Sequence, residues 1–218
     1  MSKLIAASLL SADFSRLTDE IKRAHKAGVD WLHLDVMDGN LVPNISFGIP
    51  VIESIRPITG MTFDVHLMIA DPIRYVAQFR KAGADYITVH QEACPNLAEC
   101  LGKIREAGAL PGVSLNPKTP FEAVQDLLPQ IELLLIMGVE PGFGGQKFDP
   151  SVIPKIGQAR RQITERGLET LIEVDGGVNN ETVAELARAG ADVFVSGSYL
   201  FRHPEGFQAA MTELRKHI

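Results

Sequence analysis

The segment KAGVDWLHLDVMDG, residues 26–39, joins the end of a helix to the start of a strand and shows the unit from which the fold is built. Gly28 suits the left-handed residue that closes a helix, and the apolar run from Trp31 has the length of a strand. The same punctuation recurs as KAGAD at 81–85, EAGAL at 106–110 and RAGAD at 188–192. This recurrence is typical of βα units, in which parallel strands alternate with crossover helices.

Outward from this segment, the chain contains eight apolar runs, each followed by a helix-like stretch. We predict strands at 4–9, 31–36, 62–68, 86–90, 110–115, 133–137, 170–174 and 193–196. We predict helices at 14–26, 50–55, 72–81, 97–106, 120–128, 151–166, 180–189 and 204–216. Eight βα units close a barrel, whereas the competing doubly wound open sheet usually has about five or six strands and a GxGxxG after the first. We therefore predict one α/β domain over residues 1–218, a (β/α)8 TIM barrel.

The composition is that of an ordinary globular domain, with 218 residues, 45% hydrophobic and 22% charged. The net charge of −6 makes nucleic acid or an anionic membrane an unsuitable main partner. The two cysteines, Cys94 and Cys100, are too few for a disulfide framework and favour a reducing compartment. No apolar stretch approaches the length of a membrane span. We expect a cytoplasmic protein that binds neither nucleic acid nor membrane.

Polar residues interrupt three predicted strands where a barrel strand should be apolar. In residues 31–39, strand alternation puts His33, Asp35 and Met37 on one face, opposite the apolar face formed by Leu32, Leu34 and Val36. A single inward His or Asp is usually a structural hydrogen-bonding group. Here, however, several fall at the C-terminal ends of strands, where barrel active sites are built. The set comprises His33, Asp35, His66 and Asp175.

Two imidazoles and two carboxylates form a plausible site for one divalent metal ion. Zn²⁺ is favoured, and Fe²⁺, Mn²⁺ and Co²⁺ remain alternatives, because the ligand set is intermediate in hardness. Asp64 and Glu173 sit deeper in their strands, and we interpret them as structural or as supports for the ligands. The other histidines receive no functional role, although one of them ends a strand: His25, His90, His203 and His217.

Glycine-rich segments follow the last three predicted strands: EPGFGGQ at 140–146, DGG at 175–177 and SGS at 196–198. Glycine lets the backbone approach a ligand closely and present bare N–H groups. Each motif alone is usually just a turn. On the final loops of a barrel, however, the three together indicate a phosphate site. The chain contains no GxxxxGK[ST] motif, which counts against a nucleotide triphosphatase.

From end to end the chain resembles the ribulose-phosphate 3-epimerase family. The matching segments are IAASLLSADFSRL (5–17), DWLHLDVMDGNLVPNISFG (30–48), DVHLMI (64–69), MGVEPGFGGQKF (137–148), EVDGGVNNET (173–182) and GSYLF (197–201). Two positions depart from the pattern: Ala7 stands where the family usually has Pro, and Gly138 where it usually has Ser or Thr. Gly138 lacks a hydroxyl near the substrate loop, which leaves substrate preference open.

The resemblance implies a (β/α)8 barrel that interconverts D-ribulose 5-phosphate and D-xylulose 5-phosphate in the pentose phosphate pathway. It implies that His33, Asp35, His66 and Asp175 hold the metal and that Asp35 and Asp175 are the acid/base pair. The implied substrate contacts are Ser8, Met37, His66, Met68, Met137, Gly142, Phe143, Gly144, Gly145, Gly176, Gly177, Gly197 and Ser198. We also expect a homo-oligomer that acts on a small ketose phosphate.

The chemistry explains why these residue types occur together. Epimerising a carbon beside a ketone requires removing its proton to form an enediolate and returning a proton to the opposite face. One carboxylate on each face is the simplest arrangement, and a metal ion would stabilise the developing oxyanion as a Lewis acid.

Two other functions remain open, and a third, the decarboxylase, is disfavoured by the sequence. An epimerase of a hexulose 6-phosphate, such as allulose 6-phosphate, would have the same metal site. The orotidine-phosphate decarboxylase group carries Asp-x-Lys-x-x-Asp at a strand end, but here Met37 occupies the position of that lysine. A barrel that only binds phosphosugars would not need the acid/base pair.

Overall fold

The computed structural model describes residues 3–218, which form a closed barrel of eight parallel strands in the order β1 to β8. The strands are β1 (Leu4–Ser8), β2 (Trp31–Met37), β3 (Thr62–Met68), β4 (Tyr86–His90), β5 (Leu110–Leu115), β6 (Leu133–Met137), β7 (Leu171–Asp175) and β8 (Val193–Ser196). Pairing of β1 with β8 closes the ring, with Ala6 opposite Val195. The predicted barrel is therefore confirmed, and the open doubly wound sheet is excluded.

The α-helices surround the barrel. They are α1 (Leu17–Lys26), α2 (Ile49–Ile55), α3 (Val76–Ala82), α4 (Leu97–Glu106), α5 (Ile153–Glu165), α6 (Val183–Ala189), α7 (Ser198–Phe201) and α8 (Phe207–Arg215). Short 3₁₀ segments occupy many of the connections, including Leu9–Ser11 after β1 and Gln91–Ala93 after β4. Among residues 3–218, no helix has the length and apolarity required to cross a bilayer.

The two faces of each strand build different parts of the core, as the alternation predicts. On β2, Leu32, Leu34 and Val36 belong to the apolar layer between the barrel and its helices. Inside the barrel, the end nearer the strand N-termini is apolar, with Trp31 stacked on Tyr86 at a centroid distance of 4.7 Å. The inward His33, Asp35 and neighbouring polar side chains therefore crowd toward the opposite end.

The predicted helix at 120–128 is wrong. Over residues 116–132, all of which the structure describes, the chain forms 3₁₀ segments at Phe121–Ala123 and Gln125–Gln130 instead of an α-helix. Pro129 lies within the second segment, where it lacks the N–H that a longer helix would need.

Other boundaries shift by a few residues. The predicted helix at 180–189 begins only at Val183, because the side chain of Asn179 accepts the N–H groups of Glu181 and Thr182 and holds a turn. The seventh strand ends one residue later than predicted, which makes Asp175 its last residue. The short helix α7, directly after β8, was not predicted.

Candidate active site

A cavity of about 300 Å³ opens at the C-terminal ends of the strands. Asp35 enters it from β2 and Asp175 from β7, so the two carboxylates reach it from well-separated parts of the ring. Three buried thioethers, those of Met37, Met68 and Met137, also line it. The polar residues predicted at three strand ends thus meet at one place.

Four side chains converge at the floor of this cavity and directly beneath it: His33, Asp35, His66 and Asp175. Nε2 of His33 lies 3.3 Å from Nδ1 of His66. Oδ1 of Asp35 lies 3.2 Å from the first nitrogen and 3.3 Å from the second. Oδ2 of Asp175 lies 3.8 Å from Nε2 of His33, and the four atoms all lie within 4.8 Å of one another.

These spacings fit a single metal ion. Ligand atoms of a tetrahedral zinc site lie about 3.4 Å apart when each metal–ligand distance is roughly 2.0–2.1 Å. The three short separations among His33, Asp35 and His66 match that ligand–ligand distance. Oδ2 of Asp175 would have to move only a few tenths of an ångström closer to His33. The cluster can therefore hold a divalent cation.

The protonation of these groups is strongly biased by their surroundings. Although burial favours the neutral ring, the carboxylates of Asp35 and Asp64 raise the pKa of His33 well above its ordinary value. Burial acts upward on the pKa of Asp35 too, but the charge of His33 and hydrogen bonds from both imidazoles keep it well below the usual range. Burial and the nearby Asp35 carboxylate raise the pKa of Asp175 to about 7. The pKa values of two carboxyl groups in one cavity are thus shifted in opposite directions.

Asp64 and Glu173 lie fully buried beneath this cluster. Oδ2 of Asp64 lies 2.5 Å from Nδ1 of His33, so the carboxylate accepts a hydrogen bond from that nitrogen and leaves Nε2 facing the cavity floor. Burial and the charge of Asp64 raise the pKa of Glu173 well above its ordinary value. Asp64 thus contacts a proposed ligand directly, whereas the structural or supporting role of Glu173 stays a prediction.

The family model for ribulose-phosphate 3-epimerases matches residues 4–201. The chain belongs to this family. It is 51% identical to the ribulose-phosphate 3-epimerase of Synechocystis sp., over 96% of this chain and 93% of that protein. It is 48% identical to the enzyme of the same name from Bacillus subtilis, over 97% of each chain.

Solved structures outside the ribulose-phosphate 3-epimerase family share the fold. The tryptophan synthase α-subunit of Pyrococcus furiosus superposes with a TM-score of 0.73 at 15% identity, covering 98% of each chain. At that identity the likeness concerns the barrel alone.

Most residues that the family resemblance predicts to contact substrate line the cavity. The residues lining the cavity are Ser8, Met37, Met68, Met137, Gly142, Phe143, Gly144, Gly145, Gly176, Gly177, Gly197 and Ser198. His66 does not line it, because this side chain is fully buried beneath the floor. Ser8 also donates a 2.6 Å hydrogen bond to Oδ2 of Asp35, which fixes that carboxylate.

Sequence reasoning missed other residues of the cavity. Ser11 and Gln146 line it, although both lie within segments that resemble the family. The side chain of Gln146 donates to the carbonyl groups of Glu140 and Phe143 and so braces the loop after β6. Loop conformation brings both residues to the cavity, and strand alternation carries no signal for it.

His90, to which the sequence assigned no functional role, lies next to the cluster rather than in the cavity lining. It is fully buried, and its Nε2 lies 2.8 Å from Nε2 of His66. Its position as the last residue of β4, on the inward face, was the one available signal.

One departure from the usual family sequence has a structural counterpart. A Cβ atom at Gly138 would lie 2.5 Å from the carbonyl oxygen of Gly176 and 2.8 Å from the ring of Phe148. The Ser or Thr common in the family would therefore require the loop after β7 to move.

Proposed function

We propose that this protein epimerises D-ribulose 5-phosphate to D-xylulose 5-phosphate at the third carbon, with Asp35 and Asp175 as the two acid/base groups. The observation that carries the proposal is the placement of both carboxylates in one cavity, from β2 and β7. A substrate bound between them would offer one face to each. The relatives' names specify the same reaction class.

The two carboxyl groups differ in the way an acid/base pair requires. Asp35 is held ionised by two imidazoles and by Ser8, so it can accept a proton. Asp175, with a pKa raised to about 7, can carry one at neutral pH and donate it. Such general acid–base catalysis typically raises the reaction rate about 10²–10⁴-fold, which corresponds to an activation free energy lower by roughly 3 to 5.5 kcal/mol.

We expect one divalent cation per chain, held by His33, Asp35, His66 and Asp175, with Zn²⁺ favoured over Fe²⁺, Mn²⁺ and Co²⁺. When bound, it would supply Lewis-acid stabilisation to the oxygen atoms of the substrate. Asp64 would keep the Nε2 lone pair of His33 directed at it. The ligand set does not choose the metal, so elemental analysis of protein purified without chelators must identify it.

The glycine-rich loops are the proposed phosphate site. Gly197 permits close approach of the loops, since a Cβ atom there would lie 2.7 Å from Oγ of Ser11. Ser198, at the start of α7, and the 142–145 and 176–177 segments border the same cavity. Their main-chain N–H groups would hold the phosphate away from the reacting carbon and fix the orientation of the sugar.

The test is proton exchange in deuterated water with two matched variants, Asp35→Asn and Asp175→Asn. Each substitution keeps a side-chain oxygen and removes one base, so epimerisation should fall by orders of magnitude in both. Exchange of the third-carbon proton should persist best for one epimer in Asp35→Asn and for the other epimer in Asp175→Asn. Metal content is measured in both variants, because loss of the cation would mimic loss of the base.

Several results would contradict the proposal. Equal exchange of the two epimers by metal-loaded variants would indicate a one-base mechanism. Wild-type protein that binds ketose phosphates without turnover would be a binding protein. Higher kcat/KM on allulose 6-phosphate than on ribulose 5-phosphate would assign a hexulose substrate.

The expected cytoplasmic location, the homo-oligomer and the lack of nucleic-acid binding stay predictions. Sedimentation velocity would give the mass of the assembly as a multiple of the 23.8 kDa chain.

A further inference from the structure

A chain of polar contacts leads outward from the proposed cation site along β4. Nε2 of His66 lies 2.8 Å from Nε2 of His90, and Nδ1 of His90 lies 3.3 Å from Oε2 of Glu92. His66 and His90 are fully buried, whereas the Glu92 side chain is 24% exposed. Neither His90 nor Glu92 lines the cavity.

The two imidazoles meet edge to edge. Their planes differ by 19° with centroids 4.9 Å apart, and the 2.8 Å contact between nitrogen atoms is too short for face-to-face stacking. This is the geometry of an N–H···N hydrogen bond, which needs one ring to donate and the other to accept.

The cation site fixes the direction of this hydrogen bond. A cation held by Nδ1 of His66 uses the lone pair of that nitrogen, so the proton of the neutral ring must sit on Nε2. His66 then donates to Nε2 of His90, which places the proton of His90 on Nδ1, facing the carboxylate of Glu92. One arrangement of protons satisfies all three side chains.

Glu92 is itself anchored. Its Oε1 accepts the backbone N–H of Asn116 at 3.0 Å and the hydroxyl of Thr119, both in the segment after β5. Burial acts to raise the pKa of Glu92, but the hydrogen bonds from His90, Thr119 and Asn116 lower it to about 2. The series of contacts from His66 through His90 therefore ends at the fixed negative charge of Glu92.

We propose that His90 and Glu92 are positioning residues, which fix the tautomer and ring orientation of His66 through the contacts His66–His90–Glu92. This inference rests on the cation site of the proposed function. The partner of His33 is a carboxylate in direct contact, whereas the partner of His66 is a neutral imidazole that relays the charge of Glu92 from a neighbouring loop.

The test measures metal affinity and ligand geometry in addition to turnover. Metal-free protein is titrated with Zn²⁺ against a chromophoric chelator, and the visible absorption spectrum is recorded with Co²⁺. His90→Leu removes the acceptor of His66 and should weaken Zn²⁺ binding about 10–100-fold. It should also alter the Co²⁺ spectrum at saturation, because the His66 ring is no longer held.

His90→Gln is the rescue variant. Its amide oxygen can accept from His66 while its NH₂ group donates to Glu92, so it should recover most of the lost affinity. Glu92→Ala removes the end of the chain from a partly exposed position and should weaken binding less than His90→Leu. This variant also carries the test if His90→Leu fails to fold.

Thr88→Val is the matched control. Thr88 precedes His90 by two residues on the same inward face of β4, is fully buried, and its hydroxyl has no partner among the described residues. It should keep wild-type affinity and the wild-type Co²⁺ spectrum. Wild-type affinity in Glu92→Ala and in folded His90→Leu, or no rescue by His90→Gln, would overturn the inference. Failure of the wild type to bind Zn²⁺ or Co²⁺ would instead overturn the proposed cation site, and this inference with it.

Discussion

At the scale of single residues, the site holds protons where a cation would bind. The pKa of Asp175 is raised to about 7 by burial and by Asp35, and that of His33 is raised well above its ordinary value by Asp35 and Asp64, against the effect of burial. Both residues offer an atom to the proposed cation. A cation must therefore displace protons that these side chains carry at neutral pH.

We expect Zn²⁺ binding to release protons and to weaken as the pH falls. Because the pKa of Asp175 is about 7, this side chain is mostly protonated when the pH is lower than that. In that range, each drop of one pH unit should lower the apparent Zn²⁺ affinity roughly tenfold for each proton displaced. Above that pH the contribution of Asp175 levels off, because its carboxylate is already ionised. Calorimetric titrations in buffers with different ionisation enthalpies count the protons released.

Asp175→Asn provides the control for this measurement. It should release about one proton fewer near pH 6, because the amide cannot carry that proton. Affinity that stays constant between pH 5.5 and about 8 in the wild type would contradict the assignment of protonated ligands.

At the scale of elements, the turn after β7 contains two glycines, Gly176 and Gly177, at positions where a side chain does not fit. Gly177 has a φ of +70°, and a Cβ atom on it would lie 2.5 Å from the backbone nitrogen of Phe148. The turn is thus packed against the loop after β6, and both border the cavity. Correct placement of the proposed phosphate site requires this close contact between backbones.

Gly177→Ala should destabilise the protein by more than a left-handed alanine alone. Gly167 has a similar φ of +62° with open space around it, so Gly167→Ala isolates the backbone cost, roughly 1–2 kcal/mol. Crowding against Phe148 should add about 1–3 kcal/mol in Gly177→Ala. Urea unfolding of both variants measures the two free energies of unfolding. Equal losses of unfolding free energy in the two variants would show that the loop after β6 moves aside without a free-energy penalty.

The sequence predicted elements well where local patterns determine them. The Gly stops and apolar runs located all eight strands, and alternation on β2 placed His33 and Asp35 inside the barrel. It failed at 120–128, where apolar spacing resembles a helix but the chain forms 3₁₀ turns around Pro129. The contact of His90 with His66 was beyond sequence reasoning, because it depends on the register between neighbouring strands.

At the scale of the whole molecule, one apolar layer joins all of the strands to the helices. Residues from Ile5 near the start of the described chain to Leu214 near its end belong to the same buried cluster. Arg215 also donates to the carbonyl oxygen of Lys3 and to Asp30, which fastens the last helix to the first βα unit. Such connectivity favours unfolding as one unit.

We expect a single cooperative thermal transition, in keeping with the predicted single domain over residues 1–218. Scanning calorimetry of the protein should give a calorimetric enthalpy equal to the van't Hoff enthalpy. Runs at several protein concentrations separate dissociation of an oligomer, which makes the midpoint concentration-dependent, from unfolding of the chain. Two resolved transitions at all concentrations would contradict a single unit.

Closure of the ring by β1 and β8 also affects how the protein is made. The first strand leaves the ribosome long before the partner that covers its edge, since β8 ends at Ser196. At about 5–20 residues per second, the growing chain carries an unpaired edge for roughly 10–40 s. An exposed strand edge can pair with other nascent chains. The yield of native protein should therefore respond to translation speed and to chaperones that shield β1 until the last strand emerges.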